Sequence, residues 1–200
     1  MGAMQESLLF SAPSFGDAYE LRVTLRDTAP PIWRALRVPA ELPLGALHDV
    51  LQIAFGWKNS HLHDFEVGEI RFGMADIEDE IFSVDEHGAP LGAVAREGST
   101  FVYRYDFGDD WEHDVLVERI AQGAGETITC TGGERACPPE DSGGVSGYAH
   151  LLEVLADPND KEYAAVKRWV GRGFNPDKLD IGAVNKKLAT LWKRLGRRRK

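Results

Sequence analysis

The chain has 200 residues, of which 43% are hydrophobic and 10% aromatic, enough for one domain's core and too apolar for disorder. Charged residues make up 28% and the formal net charge is −9, so the chain reads as soluble. No apolar run approaches the ~20 residues needed to cross a bilayer, and residues 1–9 lack the positive start and apolar stretch of a signal peptide. The expected home is the cytoplasm, and no membrane partner is expected.

Residues 1–17 read as an N-terminal extension, 18–195 as a single domain and 196–200 as a basic tail. Residues 19–26 alternate apolar and polar side chains, the period of a half-buried strand. Pro30 and Pro31 then force a turn. Residues 32–38 read as the returning strand, with Ile32, Leu36 and Val38 on one face. From Pro43, Leu44, Leu47, Leu51, Ala54 and Phe55 recur at helical spacing until Gly56 ends the helix. Alternation resumes over residues 61–67, with His61, His63, Phe65 and Val67 pointing one way, and residues 70–72 continue the sheet. Residues 73–98 are acidic, then glycine-rich. They read as a long loop holding a short strand near Ile81.

The clearest hairpin spans residues 100–105 and 111–120, with the turn Phe107-Gly-Asp-Asp110 between them. Phe101, Tyr103 and Tyr105 share one face; Trp111, His113, Val115 and Val117 share the opposing strand's face. Residues 123–147, with their glycines, prolines and both cysteines, read as loop. Three helices are predicted, over 148–155, 162–170 and 182–195. Strands followed by helices, without βαβ alternation, predict an α+β fold. The sheet should be mainly antiparallel, of about five or six strands, with one inserted helix and a C-terminal helical group.

Several motifs, taken in order, resemble the plasmid pRiA4b ORF-3-like family. They include Tyr19-Glu-Leu-Arg-Val-Thr-Leu25, Pro31-Ile-Trp-Arg34, Leu47-His-Asp-Val-Leu-Gln-Ile-Ala-Phe-Gly-Trp57 and His61-Leu-His-Asp-Phe65. The most specific are Tyr105-Asp-Phe-Gly-Asp-Asp-Trp-Glu-His113 and Cys137-Pro-Pro-Glu-Asp-Ser-Gly-Gly144, followed by Gly147-Tyr148. The resemblance covers residues 18–190 and brings no established activity with it. Some members are labelled TnpR-like passengers of insertion elements, which implies a link to mobile elements. Ser142 stands where members often carry a further cysteine.

Four candidate sites follow from residue type. The first is a metal site drawing on His61, His63, His113, Cys130 and Cys137. Zinc takes tetrahedral nitrogen and sulfur ligands, although Cys-x6-Cys is wider than a zinc knuckle. The plainer reading packs the thiols as small apolar groups and lets the histidines bond to loops. The second is acid–base chemistry by Asp106, Asp109, Asp110, Glu140 and Asp141 with His113; in turns such carboxylates commonly bind loop N–H groups instead. Asp106-Phe107-Gly108 imitates a kinase magnesium motif, and Asp141-Ser142-Gly143-Gly144 a serine-protease nucleophile, but neither has its companion motifs.

The third is nucleic acid at the C-terminus. Eight of the 23 basic residues fall in 183–200, which has no acidic residue. That leaves 15 basic against 32 acidic residues, a formal −17, over residues 1–182. Such a body repels polyanions, so the tail reads as complementing a helix dipole. The fourth is an aromatic binding groove between residues 100–118 and 137–148, using Trp57, Tyr103, Tyr105, Asp106, Phe107, Trp111, Glu140 and Asp141. Trp57 and Phe107 are the aromatics expected to be exposed. The functional expectation is a non-enzymatic binding or accessory protein for an unknown protein or small ligand, without a required cofactor. The alternative is a metal-assisted hydrolase or nuclease in the same groove. Both need the tyrosine-rich ribbon and the double-proline segment to fold against each other.

Overall fold

The computed structural model describes residues 16–73 and 84–198. Alternation in the N-terminal segment produces the antiparallel pair β1 (Ala18–Leu25) and β2 (Ile32–Pro39). Pro43, in extended backbone, leads into α1 (Leu44–Phe55), and Gly56 ends it in the left-handed conformation at φ 101°, where a Cβ would be strained. A second hairpin, β3 (His63–Val67) and β4 (Ile70–Gly73), follows. The two-residue β5 (Val84–Asp85) then adds parallel to β4. A 3-10 turn (Glu86–Gly88) and the short α2 (Leu91–Val94) lead to the long hairpin β6 (Thr100–Tyr105) and β7 (Trp111–Ala121). The strand β8 (Thr129–Glu134) precedes α3 (Gly144–Ala156), α4 (Tyr163–Val170) and α5 (Ile181–Arg198).

The result is a mixed α+β fold on one eight-stranded sheet, in the order β5-β4-β3-β6-β7-β1-β2-β8. All neighbouring strands are antiparallel except β4 and β5. The expected five or six strands are therefore an undercount, and the physical reasons are local. In β8, Gly132 and Gly133 read as turn residues, yet a Cβ on Gly133 would stand 2.7 Å from the Trp33 carbonyl oxygen; the strand needs glycine to approach β2. β5 is too short to show a period. The segment expected to be loop over 73–98 also holds α2, whose Leu91 is fully buried. The strand expected near Ile81 lies outside the described residues. α3 starts at Gly144 rather than 148, and α5 runs through Arg198, so the expected tail is helical as far as it is described.

One face of the sheet carries the core. Phe65, Tyr103, His113, Leu25 and Ile32 lie in register across five strands, and all five are buried. α1 covers this face with Leu47, Val50, Leu51, Ala54 and Phe55. The opposite face is ion-paired: Arg26 binds Glu112 and Asp114, and Arg37 and Arg119 share Glu20. Such one-sided packing suits an antiparallel sheet. No described helix is long and apolar enough to cross a membrane.

Arg34 is the exception on the buried face. It is 0% exposed and, among the described residues, has no carboxylate partner. Its guanidinium donates instead to the carbonyls of Ala54 (2.7 Å), Trp33 (2.8 Å) and Glu134 (2.9 Å), tying the last turn of α1 to β2 and β8. A cation at a helix C-terminus also meets the negative end of its dipole. Replacing Arg34→Met leaves three carbonyls short of a donor and should lower the unfolding free energy by about 3 kcal/mol. Urea denaturation measures this; a loss under about 1 kcal/mol would refute the bracing role.

Candidate functional site

The β6–β7 turn and the segment after β8 meet at one end of the sheet. Asp106, at φ 59°, begins the turn, and its Oδ1 accepts from the N–H groups of Gly108 (3.0 Å) and Asp109 (3.3 Å). This is the Asx geometry that acidic turn residues favour, and it leaves Oδ2 to face His61. At the tip, Asp109 Oδ2 accepts from Gly143 N–H at 3.0 Å. A Cβ on Gly144, at φ +67°, would stand 2.6 Å from the Asp109 carbonyl oxygen. The glycine pair is what lets the start of α3 touch the hairpin.

Deeper in the cleft, the Tyr105 hydroxyl donates to Glu140 Oε1 at 3.0 Å and accepts from Ser60 N–H at 3.0 Å. Glu140 Oε1 also accepts from Lys58 N–H at 2.5 Å. Burial raises the Tyr105 phenol pKa, which keeps it protonated as a donor. His61 stands at the mouth with its side chain 29% exposed. Its Nε2 lies 3.2 Å from Asp141, 3.4 Å from Asp106 and 3.7 Å from Glu140.

A pocket of about 600 Å³ opens beside His61, lined by α1, residues 59–63 and the Glu86–Gly88 turn. Its wall on α1 is Gly45, His48 and Asp49, which helical spacing brings to one side. A closed cycle of hydrogen bonds stands behind it. Asn59 N–H donates to Gln52 Oε1 (2.7 Å), Gln52 Nε2 to the Tyr103 hydroxyl (2.9 Å), and that hydroxyl pairs with His48 Nδ1 (2.7 Å). His48 Nε2 closes the ring on Asn59 Oδ1 at 3.0 Å. An amide oxygen only accepts, so His48 carries its proton on Nε2, and Nδ1 accepts from Tyr103. Burial and then the charge of His63 hold His48 down to about 4. His63 stacks on His48 at 3.5 Å and reaches Glu86 Oε2 at 3.0 Å.

The proposed ligand residues are thus distributed over three places. His61 joins Asp106, Glu140 and Asp141 in the cleft. His63 belongs to the neighbouring pocket. His113, Cys130 and Cys137 lie in the core: His113 Nε2 accepts from the Trp57 indole N–H (3.3 Å), and its Nδ1 faces the carbonyls of Trp111 and Tyr103. Burial lowers His113 to about 4 and raises both thiols, Cys137 well above its usual value. The two thiols flank Arg34 rather than a histidine. Among the described residues, the one group with mutual ligand spacing is His61, Asp106 and Asp141.

Of the aromatic groove, Phe107 is exposed at 50% while Tyr103, Tyr105 and Trp111 are buried behind the cleft. Trp57 corrects the expectation of exposure: the left-handed Gly56 turns the chain back, and the indole packs against Tyr105 and Trp111. Sequence reading passed over His48, Gln52, Asn59, Ser60, Glu86 and His87. Only His48 and Gln52 left a signal, as polar residues four apart on the buried side of an apolar helix.

Two outcomes follow for stability. Because His48 and His113 are depressed from 6.5 to about 4, the unfolded chain binds their protons first. Their contribution is therefore full above about pH 6.5 and is lost as pH falls toward 4, by roughly 3 kcal/mol per histidine. Urea melts at pH 7 and 4.5 should show this drop, and His48→Gln should halve it; an unchanged slope would refute neutral burial of His48. Gly144→Ala should cost about 2 kcal/mol or more and expose Gly143 N–H to hydrogen exchange. Protection like that of the parent chain would show that the contact is dispensable.

Comparison with known proteins agrees with this architecture. The profile of the plasmid pRiA4b ORF-3-like protein family matches residues 17–183. The chain is 38% identical over 189 residues to the uncharacterized protein y4hQ of Sinorhizobium fredii (strain NBRC 101917 / NGR234), covering 90% of this chain and 96% of that one. It is similar in structure to MM3350, a protein of unknown function from Methanosarcina mazei Go1. There the TM-score is 0.76 at 35% identity, over 84% of this chain and 98% of the other. With the profile spanning nearly the whole domain, the chain belongs to the plasmid pRiA4b ORF-3-like family.

Proposed function

We propose that this chain is a non-enzymatic binding protein, and that its ligand is a small organic cation held in the pocket between α1, residues 59–63 and the Glu86–Gly88 turn. The observation that carries this reading is the lining. Glu86, Asp49 (itself paired with Arg194) and the imidazoles of His48, His61, His63 and His87 line the space, and neither lysine nor arginine is among the lining residues. Three more carboxylates, Asp106, Glu140 and Asp141, stand around His61 at its edge. In a chain of net charge −9, that field attracts amines and guanidinium groups and repels phosphates. His48 and Gln52 are committed to the hydrogen-bond ring, which makes the wall stiff, as a binding site requires. Exposed Leu62 gives the rim an apolar patch for a ligand's carbon skeleton.

Two wider inferences accompany this reading. Two buried, unbridged thiols suit a reducing compartment, and we place the protein in the cytoplasm. The accessory role beside mobile elements that the family resemblance implies is compatible with a binding protein and requires no recombination chemistry.

Differential scanning fluorimetry with spermidine, arginine and benzamidine, against citrate and AMP, tests the pocket. Cations alone should raise the melting temperature, and Ser60→Phe, which fills the pocket while keeping the backbone N–H on Tyr105, should remove the effect. Equal shifts from the anions, or cation shifts that survive Ser60→Phe, would refute the reading.

A further inference from the structure

The group at the mouth of the cleft has an arrangement that ordinary ion pairing does not explain. His61 Nε2 is buried as an atom and makes no hydrogen bond, although three carboxylate oxygens lie within 3.7 Å of it. A protonated Nε2 would aim its one N–H along a line to one oxygen. Here the nitrogen faces all three and bonds to none. Ligand atoms of His61, Asp106 and Asp141 all lie within 4.8 Å of one another. Around one ion with donors at about 2.1 Å, neighbouring donor atoms stand roughly 3.0–3.4 Å apart, the edge of an octahedron or a tetrahedron. The His61–Asp141 and His61–Asp106 separations, 3.2 and 3.4 Å, fall on that edge.

We infer that His61, Asp106 and Asp141 bind a divalent first-row transition cation of the Mn2+ or Zn2+ kind. The site adjoins the organic-cation pocket through His61, which lines both, whereas Asp106 and Asp141 do not line that pocket. One imidazole with two carboxylates suits a borderline or hard cation rather than a soft thiophile, and both cysteines lie elsewhere. The set is also prepared in advance. Asp106 has a side chain only 9% exposed, and its Oδ1 is committed to two turn N–H groups. That leaves Oδ2 as the oxygen directed at His61. Glu140 is fixed by Lys58 N–H and Tyr105 and offers a third carboxylate beside the ion. Asp141 is exposed, so the remaining coordination positions face solvent and an incoming ligand. The two aspartates offset the ion's charge, which leaves little repulsion toward an organic cation in the neighbouring pocket.

The test uses the full chain, treated with a chelator and titrated with MnCl2 while the paramagnetic resonance of free Mn2+ is followed. One equivalent should bind, and ZnCl2 should displace it. His61→Ala and Asp141→Asn should each weaken binding about tenfold or more. His150→Ala, whose imidazole pairs with Glu162 on the surface, should leave it unchanged. Circular dichroism melts confirm that each variant folds, and Asp141 is exposed enough for Asp141→Asn to do so. Failure of the parent chain to bind either ion, or binding unaffected by both site variants, would overturn the assignment. Because Asp141→Asn leaves the pocket wall intact, its response to spermidine separates a failed metal site from a failed pocket.

Discussion

The cycle linking Asn59, Gln52, Tyr103 and His48 is the constraint from which the cleft end of the molecule is built. Its four links run in one direction, each donor passing to the next acceptor, and such chains polarise one another in a low-dielectric interior. Asn59 sits in the left-handed region at φ 54°, a conformation that costs energy unless the surroundings fix it. The ring supplies that fixing. Once Asn59 is held, Lys58 and Ser60 present their N–H groups to Glu140 and Tyr105, and His61 is delivered to the carboxylates. The pocket and the cleft are therefore two sides of one braced segment.

Burial accounts for the chemistry of the two core imidazoles. His48 and His113 are close in the fold, both packed near Tyr103, and both are kept neutral by burial. Each is satisfied as a neutral group: His48 by a hydroxyl and an amide, His113 by an indole N–H and backbone carbonyls. They belong to the frame. His61 stands instead in a charged and partly open setting. Three similar side chains are sorted by what surrounds them.

Much of the frame was legible in the sequence. The alternation in residues 19–25, 101–105 and 111–117 carries the buried face directly, and Gly56 and Gly171 both end helices at positive φ. Legibility failed where backbone approach set the residue choice. Gly132 and Gly133 look like a turn and are a strand, and at Gly133 the missing side chain is what admits the Trp33 carbonyl and Leu179. Trp57 looks like a surface aromatic after a helix stop and is core, because the left-handed glycine reverses the chain. For the site, Asp106, Glu140 and Asp141 were visible as acidic turn residues beside aromatics. Their convergence on His61 depends on Tyr105 and the 137–144 segment meeting in space, and spacing does not encode that. The contribution of Glu86 and His87 left no trace, since one acidic loop residue looks like another.

The carboxylates that face His61 are all encoded after it: Asp106 from the β6–β7 turn, then Glu140 and Asp141 beyond the last strand of the sheet. A ribosome releasing this chain N-terminus first therefore completes every strand before it supplies the residues that close the cleft. Nascent protein halted before Pro138 would hold all eight described strands and an imidazole with one carboxylate beside it. The cleft is thus completed late in synthesis, as a finishing event laid over a scaffold that already exists.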